Sequence, residues 1–133
     1  MRGEDVVRIC VCGGGERFRK ILGVPETVAG HFDLAVVWGS MPRTLSCETL
    51  LLWEGAVPLG ELRAGRVISC GFSPRSSLTL ASLSTERAVL SVQRSILCGD
   101  GRCILPQDLP LPKEWAALTA AEQVMLAGVA LLM

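Results

Sequence analysis

Three glycines followed by two arginines form the part of this chain whose residue types are most typical of a ligand site. The glycines follow an apolar stretch that ends at Cys12. In α/β proteins, glycines between a strand and a helix let backbone N–H groups approach an anion at the helix N-terminus. The segment therefore predicts, as one interpretation, a phosphate or nucleotide site. Its candidate ligand-binding residues are Gly13, Gly14, Gly15, Arg17, Arg19 and Ser40.

The same segment lacks the residues that complete the known phosphate-binding motifs. A P-loop continues into a lysine and a hydroxyl residue, and the stretch that leads to Arg17 has neither. A dinucleotide-binding fingerprint needs a third glycine, where this chain has Phe18. Glu16, in the first turn of the predicted helix, already satisfies the helix dipole and would repel a phosphate. The sequence thus favours the other interpretation, a tight strand-to-helix turn without a ligand.

Cysteines are the next residue type that could carry chemistry. Four of the six lie in or beside apolar segments, which is typical of buried thiols that act as small apolar side chains. These four are Cys10, Cys12, Cys47 and Cys70. Cys98 and Cys103 flank a predicted tight turn and could face each other across a hairpin. A structural zinc site usually pairs two knuckles of C-x2-4-C type, and Cys10-x-Cys12 does not have that spacing, so we expect no metal and no other cofactor.

The single histidine, His31, would have to serve any serine-based catalysis. Asp33 is too close to it in sequence to be its obvious orienting partner. The segment Gly71-Phe72-Ser73-Pro74 is not the G-x-S-x-G nucleophile elbow. Since catalytic histidines need positioned partners, a surface or capping role for His31 is favoured, and no catalytic residue is assigned.

The elements that position these residues alternate between strand and helix in the first half of the chain. Apolar runs bounded by glycines and prolines predict buried strands of the kind found in parallel sheets. The predicted strands are Asp5–Cys12, Phe32–Trp38, Thr49–Trp53 and Arg66–Cys70. The predicted helices are Glu16–Leu22, ended by Gly23, a short turn from Pro25, and Pro58–Ala64.

The pattern then changes to apolar and polar residues in alternation, which indicates antiparallel strands with one dry face. The predicted three-stranded meander consists of Leu78–Leu83, Ala88–Leu97 and Cys103–Leu105. Pro106, Pro110 and Pro112 predict an extended connector, and a terminal helix is expected from Lys113 or Glu114 onward. The fold class is therefore α/β, a short parallel, Rossmann-like sheet continued by an antiparallel meander with helices packed on it, and residues 1–133 form one domain.

Composition restricts the function classes. Half of the 133 residues are apolar, a fifth are charged, and thirteen basic residues balance thirteen acidic ones. A net charge of zero and the absence of a basic cluster with interleaved aromatics argue against nucleic acid as a partner. Ala116–Met133 is apolar but interrupted by Glu122 and Gln123, so we expect a packed helix, not a membrane span. The expected location is the cytoplasm.

The order of these elements resembles the central ATP-binding domain of Mur ligases. The resemblance rests on the first strand with its glycine loop and helix, on Asp33–Val37, on Leu50–Gly55 with Arg66–Phe72, and on the alanine-rich terminal helix. The ATP loop of that family is replaced here by Gly13-Gly14-Gly15-Glu16-Arg17, and Trp38 and Gly39 stand near the place of its acidic magnesium ligand. The resemblance therefore implies a non-catalytic relative, and no functional residue is carried over.

Two functions follow as hypotheses. The first is a non-catalytic binding or assembly module that self-associates through the C-terminal helix, because Val129–Met133 is apolar and lacks a polar cap. The alternative is a small enzyme or phosphate-binding domain that uses the Gly13–Arg17 loop, with His31 or Ser40 as further contacts.

Overall fold

The computed structural model describes residues 8–13, 16–24, 30–39, 44–56, 61–83 and 87–133. Its strands are β1 (Ile9–Cys12), β2 (Gly30–Val37), β3 (Thr44–Trp53), β4 (Glu61–Cys70), β5 (Leu78–Leu83), β6 (Ala88–Val92), β7 (Ile96–Leu97), β8 (Cys103–Ile104) and β9 (Gln107–Pro110). Its helices are α1 (Glu16–Leu22) and α2 (Ala120–Leu132), with a 3-10 helix at Lys113–Ala117. Within these ranges, no helix has the length and apolar character needed to cross a membrane.

Seven strands form one mixed sheet in the order β1-β2-β3-β4-β5-β6-β9. Neighbouring strands from β1 to β5 are parallel, whereas β6 and β9 are antiparallel to their neighbours. This confirms a parallel sheet continued by antiparallel strands. The described strands follow one another across the sheet in chain order, without the reversal that opens a ligand crevice in doubly wound sheets.

In strands β2, β3 and β4, the alternation of side chains between the two faces of the sheet is interrupted at one position, which is aligned across all three strands. The register pairs Phe32 with Cys47 and then Leu34 with Thr49, so that Asp33 and Glu48 are skipped together, as is Gly65 on β4. Phe32 lies in the core cluster on one face, and Leu34 lies in the cluster on the other. Because residues two apart in a regular strand share a face, the strands are bulged here.

Helix α2 covers one face of the sheet. Its buried residues Val124, Met125, Ala127 and Val129 belong to the same core cluster as Leu51, Leu78 and Leu90 of the sheet. The helix approaches closely at Gly128, where an added Cβ would lie 3.0 Å from Leu51 and 3.2 Å from Leu78. Its N-terminus is a capping box, in which Thr119 accepts the Glu122 N–H and Glu122 accepts the Thr119 N–H.

The opposite face carries a second cluster that is rich in thiols. Its buried residues are Cys10, Cys12, Phe32, Ala35, Val37, Leu45, Cys47 and Leu50. Cys70, by contrast, lies in the cluster beneath α2. All four cysteines predicted to be buried are buried, which confirms their interpretation as small side chains of the core.

The predicted helix Pro58–Ala64 is wrong in its described part, because Glu61–Ala64 forms the start of β4. These residues favour helix intrinsically, but pairing with β3 in register from Thr44↔Glu61 overrides that preference. Strand β3 likewise begins at Thr44, five residues before the predicted Thr49. The turn predicted from Pro25 and the residues before Arg8 lie outside the described ranges. The α1 helix and its end at Gly23, with φ +70°, are confirmed.

The predicted meander differs in its second and third strands. Strand β6 ends at Val92, and the next residue, Gln93, donates from its side chain to the carbonyls of Ser73, Pro74 and Ser76. Cys103–Ile104 pairs with Ile96–Leu97 in a separate hairpin. The third antiparallel strand of the main sheet is β9, Gln107–Pro110, which pairs with β6 and lies within the stretch predicted as a connector.

The terminal helix and the predicted cysteine pair also need correction. Residues from Lys113 form a 3-10 helix, and α2 begins only at Ala120. Its last turn is not uncapped, because Arg102 Nη2 donates to the Leu131 carbonyl at 3.2 Å. Cys98 and Cys103 do not face each other, since Cys103 pairs with Leu97 and is exposed whereas Cys98 is buried.

Candidate functional site

The predicted anion loop lies at the carboxyl end of β1, but its described residues are engaged within the protein. Gly13 has φ +74°, the left-handed conformation that a tight turn requires. Arg17 Nε pairs with Glu122 Oε2 at 3.2 Å, and its Nη2 lies 3.5 Å from the Ala117 carbonyl oxygen. The arginine predicted to hold a phosphate therefore ties α1 to the first turn of α2.

The other residues of that prediction are not brought together with Arg17 in the described part of the chain. Arg19 is half-buried on α1, and its carbonyl accepts the Val24 N–H at 3.0 Å. Gly14, Gly15 and Ser40 lie outside the described ranges. The described residues thus supply a turn and an internal ion pair, and no assembled anion site.

A row of aromatic rings occupies the carboxyl edge of the parallel strands. Phe18 of α1 meets Trp38 edge-on at 5.1 Å between ring centroids, and Trp38 lies 5.4 Å from Trp53. Trp53 in turn meets Phe72 at 5.2 Å. The row spans the ends of β2, β3 and β4, where ligands of α/β sheets usually lie. Only Phe72, at its end, is exposed among the four rings.

A carboxylate fixes the turn that carries Phe72. The Phe72 N–H donates to both oxygens of Glu54, at 3.0 and 2.9 Å. Gly71 is needed next to it, because a Cβ there would overlap the Glu54 carboxyl group. Glu54 therefore acts as a structural acceptor at this edge.

At the opposite edge of the sheet, the start of β2 and β3 brings together a histidine, a serine and a carboxylate. His31 and Ser46 are direct neighbours in the parallel register, and His31 Nδ1 lies 2.8 Å from Ser46 Oγ. The other ring nitrogen, Nε2, lies 3.3 Å from Glu48 Oε1. A single neutral tautomer satisfies both contacts, with Nε2–H donating to Glu48 and Nδ1 accepting from the serine hydroxyl.

Sequence reasoning identified His31 but missed both of its partners. Thr44, Ser46 and Glu48 alternate with Leu45 and Cys47, a period-two pattern that indicates a half-buried strand. Reading that pattern would have extended β3 toward His31. Asp33, which is close to His31 in sequence, does not orient it. Its carboxylate instead accepts the Arg8 N–H at 2.8 Å.

The β7–β8 hairpin presents an apolar outer face. Ile96 and Ile104 of this hairpin pack against the core, whereas Leu97 and Cys103, which are cross-strand partners, are exposed. Leu97 is 58% exposed, and Leu105, just after β8, is 62% exposed. We call Leu97, Cys103 and Leu105 the hairpin surface.

The hairpin surface lies beside the C-terminal end of α2. Gly99 and Asp100 at the hairpin tip line one cavity together with Leu132 and Met133. Met133 is 51% exposed, while Leu131 and Leu132 are half-buried against the core. Asp100 accepts bonds from the Arg102 backbone and side chain, which holds the pKa of this carboxyl below its usual range. The exposed Met133 therefore lies beside a hairpin tip whose charged residues, Asp100 and Arg102, pair with each other.

The cysteines differ in how readily they ionise. Burial raises the pKa of the Cys70 thiol to about 12 and that of Cys47 to about 11. A hydrogen bond with Cys10 lowers the pKa of Cys12. In the part of the chain that the structure describes, no three His, Cys, Asp or Glu side chains are grouped to hold a metal ion. Cys103 is the one exposed thiol among the six cysteines.

Comparison of the chain with protein-family models, with curated proteins and with solved structures gave no match.

Proposed function

We propose that this protein is an assembly module that associates with a second copy of itself through the hairpin surface and the neighbouring end of α2. The proposal needs no catalytic step. It keeps self-association at the C-terminal helix, but it moves the main contact from Val129–Met133 to Leu97 and Leu105. Val129 is buried within the protein itself, so it is not offered to a partner.

The observation that carries the proposal is the position of the exposed apolar side chains. Leu97, Leu105 and Met133 are each more than half exposed, and the tip of the hairpin that carries Leu97 lines a cavity together with Met133. Exposed apolar side chains that are grouped, rather than scattered, mark interaction surfaces. Ile96 and Ile104 anchor the hairpin in the core, so its outer face is presented on a fixed support.

A second copy is the partner that charge favours. Thirteen basic and thirteen acidic residues give a net charge of zero, so two copies meet without overall repulsion. At the hairpin tip, Asp100 and Arg102 already pair with each other at 2.6 Å. The hairpin surface itself, Leu97, Cys103 and Leu105, contains no acidic or basic side chain that would select a partner of opposite charge. Two-fold contacts place the same patch of both copies against each other.

The phosphate-binding alternative has less support. A phosphate at the glycine loop would need Arg17, whose guanidinium is paired with Glu122 at 3.2 Å. Glu122 of that pair also caps the N-terminus of α2 through its other carboxylate oxygen, so the arginine and the helix cap share one residue. Kinship with the nucleotide-binding domain of Mur ligases stays a prediction, as does a cytoplasmic location, where free thiols remain reduced.

Oxidative cross-linking through Cys103 tests the assembly proposal. If the hairpin surfaces of two copies meet, mild oxidation links them through Cys103, and the yield rises with protein concentration. Leu97→Asp should reduce the yield strongly, because it buries a charge at the contact. Cys103→Ser is the control that removes the link itself. Equal yields for the wild type and Leu97→Asp would contradict the proposal.

The phosphate alternative is tested separately by thermal shift with inorganic phosphate and nucleotides. A ligand at a hundred times its dissociation constant adds about 2.7 kcal/mol of stability. We expect no shift. A shift that disappears in Arg17→Ala would favour the alternative over assembly.

A further inference from the structure

We propose that Ser46, His31 and Glu48 form an acyl-transfer site that hydrolyses small uncharged esters. This activity is additional to the assembly role, and the cavity beside its carboxylate shares Asp100 and Met133 with the end of the molecule that is proposed to assemble. Three side chains from two neighbouring strands carry the proposal, in the order nucleophile, base and orienting carboxylate.

The contacts match the requirements for an activated serine. A nucleophile and its base must lie within hydrogen-bond reach, and a third group must orient the base. Ser46 Oγ lies 2.8 Å from His31 Nδ1, and His31 Nε2 lies 3.3 Å from Glu48 Oε1. By accepting a hydrogen bond from Nε2–H, Glu48 favours the tautomer in which Nδ1 is free to take the serine proton.

The parallel register fixes this arrangement. His31 and Ser46 are paired at their Cα atoms, and Ser46 is paired in turn with Arg63 on β4. Side chains at paired positions of neighbouring strands project from the same face. Arg63 therefore lies in the serine's own row, on the neighbour strand opposite to that of His31.

A cavity adjoins the orienting carboxylate; because its lining includes Glu48 but neither Ser46 nor His31, it can hold only the part of a substrate that lies beyond the reacting carbonyl. It has a volume of about 350 Å³ and borders Glu48. Leu34, Leu132 and Met133 supply its apolar lining, whereas Asp33, Glu48 and Asp100 make its rim acidic. An acidic rim disfavours anionic substrates, and the apolar lining suits a short acyl chain. The expected substrates are therefore neutral esters of short carboxylic acids.

The reaction balances with water as the only co-reactant. His31 Nδ1 accepts the Ser46 hydroxyl proton while Oγ bonds to the ester carbonyl carbon. Collapse of the intermediate breaks the bond to the alcohol, which leaves with the proton from His31. Water then attacks the acyl-serine, His31 takes and returns a proton, and the carboxylic acid is released with Ser46 restored. Glu48 takes part throughout only as a positioning residue.

The test is covalent labelling of the full chain with a fluorophosphonate, mapped to residues by mass spectrometry. All proteins carry Cys103→Ser, so that the exposed thiol does not contribute. We expect an adduct at Ser46, its loss in Ser46→Ala, and labelling at least about 100-fold slower in His31→Gln. Ser82→Ala, at an exposed strand serine, is the matched control and should label like the parent.

Glu48→Gln separates positioning from structure. It should slow labelling of Ser46 while the melting temperature stays unchanged, and Glu48→Asp should restore part of the rate. Turnover of p-nitrophenyl acetate and p-nitrophenyl butyrate should fall in parallel with labelling across these variants. An absent adduct at Ser46, or an adduct formed equally fast in His31→Gln, would overturn the proposal.

Discussion

Replacing Gly65 by alanine tests whether the three central strands are bulged in register. An ideal Cβ at Gly65 would lie 2.8 Å from the backbone carbonyl oxygen of Glu48 on the neighbouring strand. The obstacle is main chain in a paired strand, so it cannot swing aside as a side chain would. Gly65→Ala must therefore push β3 and β4 apart at the aligned bulge.

The expected loss follows from two opposed effects. Overpacking of this kind costs about 1–3 kcal/mol. Replacing glycine by alanine also restricts the unfolded chain, which returns about 0.4–1 kcal/mol. We expect a net loss of about 1–2 kcal/mol, which lowers the melting temperature of a chain this long by about 4–7 °C.

Gly39→Ala is the matched control, because a Cβ there meets nothing within 4 Å and its φ is not positive. Thermal unfolding followed by circular dichroism, with urea unfolding as a second measure, compares the two variants. We expect Gly39→Ala to equal or slightly exceed the parent in stability. If Gly65→Ala were as stable as Gly39→Ala, the β3–β4 register and the bulge would be refuted.

Three further predictions concern the cap of α2, the Glu54 turn and the buried thiol. Thr119→Ala should cost about 1 kcal/mol, measured by urea unfolding, because it removes the N-cap acceptor. Gly71→Ala should displace the Glu54 carboxylate and cost about 1 kcal/mol in the parent, but almost nothing in Glu54→Ala, as a double-mutant cycle would show. Cys70, whose pKa is raised to about 12, stays protonated when folded but ionises near pH 9 when unfolded. Its contribution is therefore complete below pH 9 and is lost progressively above it, by about 2–3 kcal/mol at pH 11. Cys70→Ala should flatten this alkaline loss in a pH series of unfolding curves, and an unchanged slope would contradict it.

The sequence predicted correctly those helices and strands whose residues carry a local signal, such as a terminal glycine or a regular hydrophobic period. The α1 helix ends at Gly23 because its left-handed φ suits glycine, and the chain contains that glycine at the end of an apolar helix pattern. The first strand and β5 were likewise evident from apolar runs or alternation. The parallel-then-antiparallel order followed from the change in hydrophobic period.

The predictions that were wrong concern segments whose structure depends on contacts with residues distant in sequence. Glu61–Ala64 has strong helix formers, yet it pairs with β3 over its full length. Pro110 was expected in a connector, but an edge strand tolerates proline because its outer N–H needs no partner. The apolar end of α2 was expected to be uncapped, because nothing near it in sequence signals that Arg102 reaches Leu131.

The candidate sites show the same division. The glycine loop was identified from sequence, but its Arg17 forms an ion pair with Glu122. That pairing could not be predicted, because Glu122 is distant along the chain. His31 was singled out, whereas Ser46 meets it only because the two strands align in parallel. Register depends on packing of whole strands, so a contact of this kind was beyond single-sequence reasoning.

Sedimentation equilibrium over a wide range of concentrations tests the assembly proposal most directly. We expect the apparent mass of the wild-type protein to rise from 14.2 kDa toward twice that value as the protein concentration increases. A variant carrying both Leu97→Asp and Leu105→Asp should stay at the monomer mass while keeping its circular dichroism spectrum. A wild-type mass that remains at the monomer value at every concentration would contradict the proposal, as would a dimer that persists in the double variant.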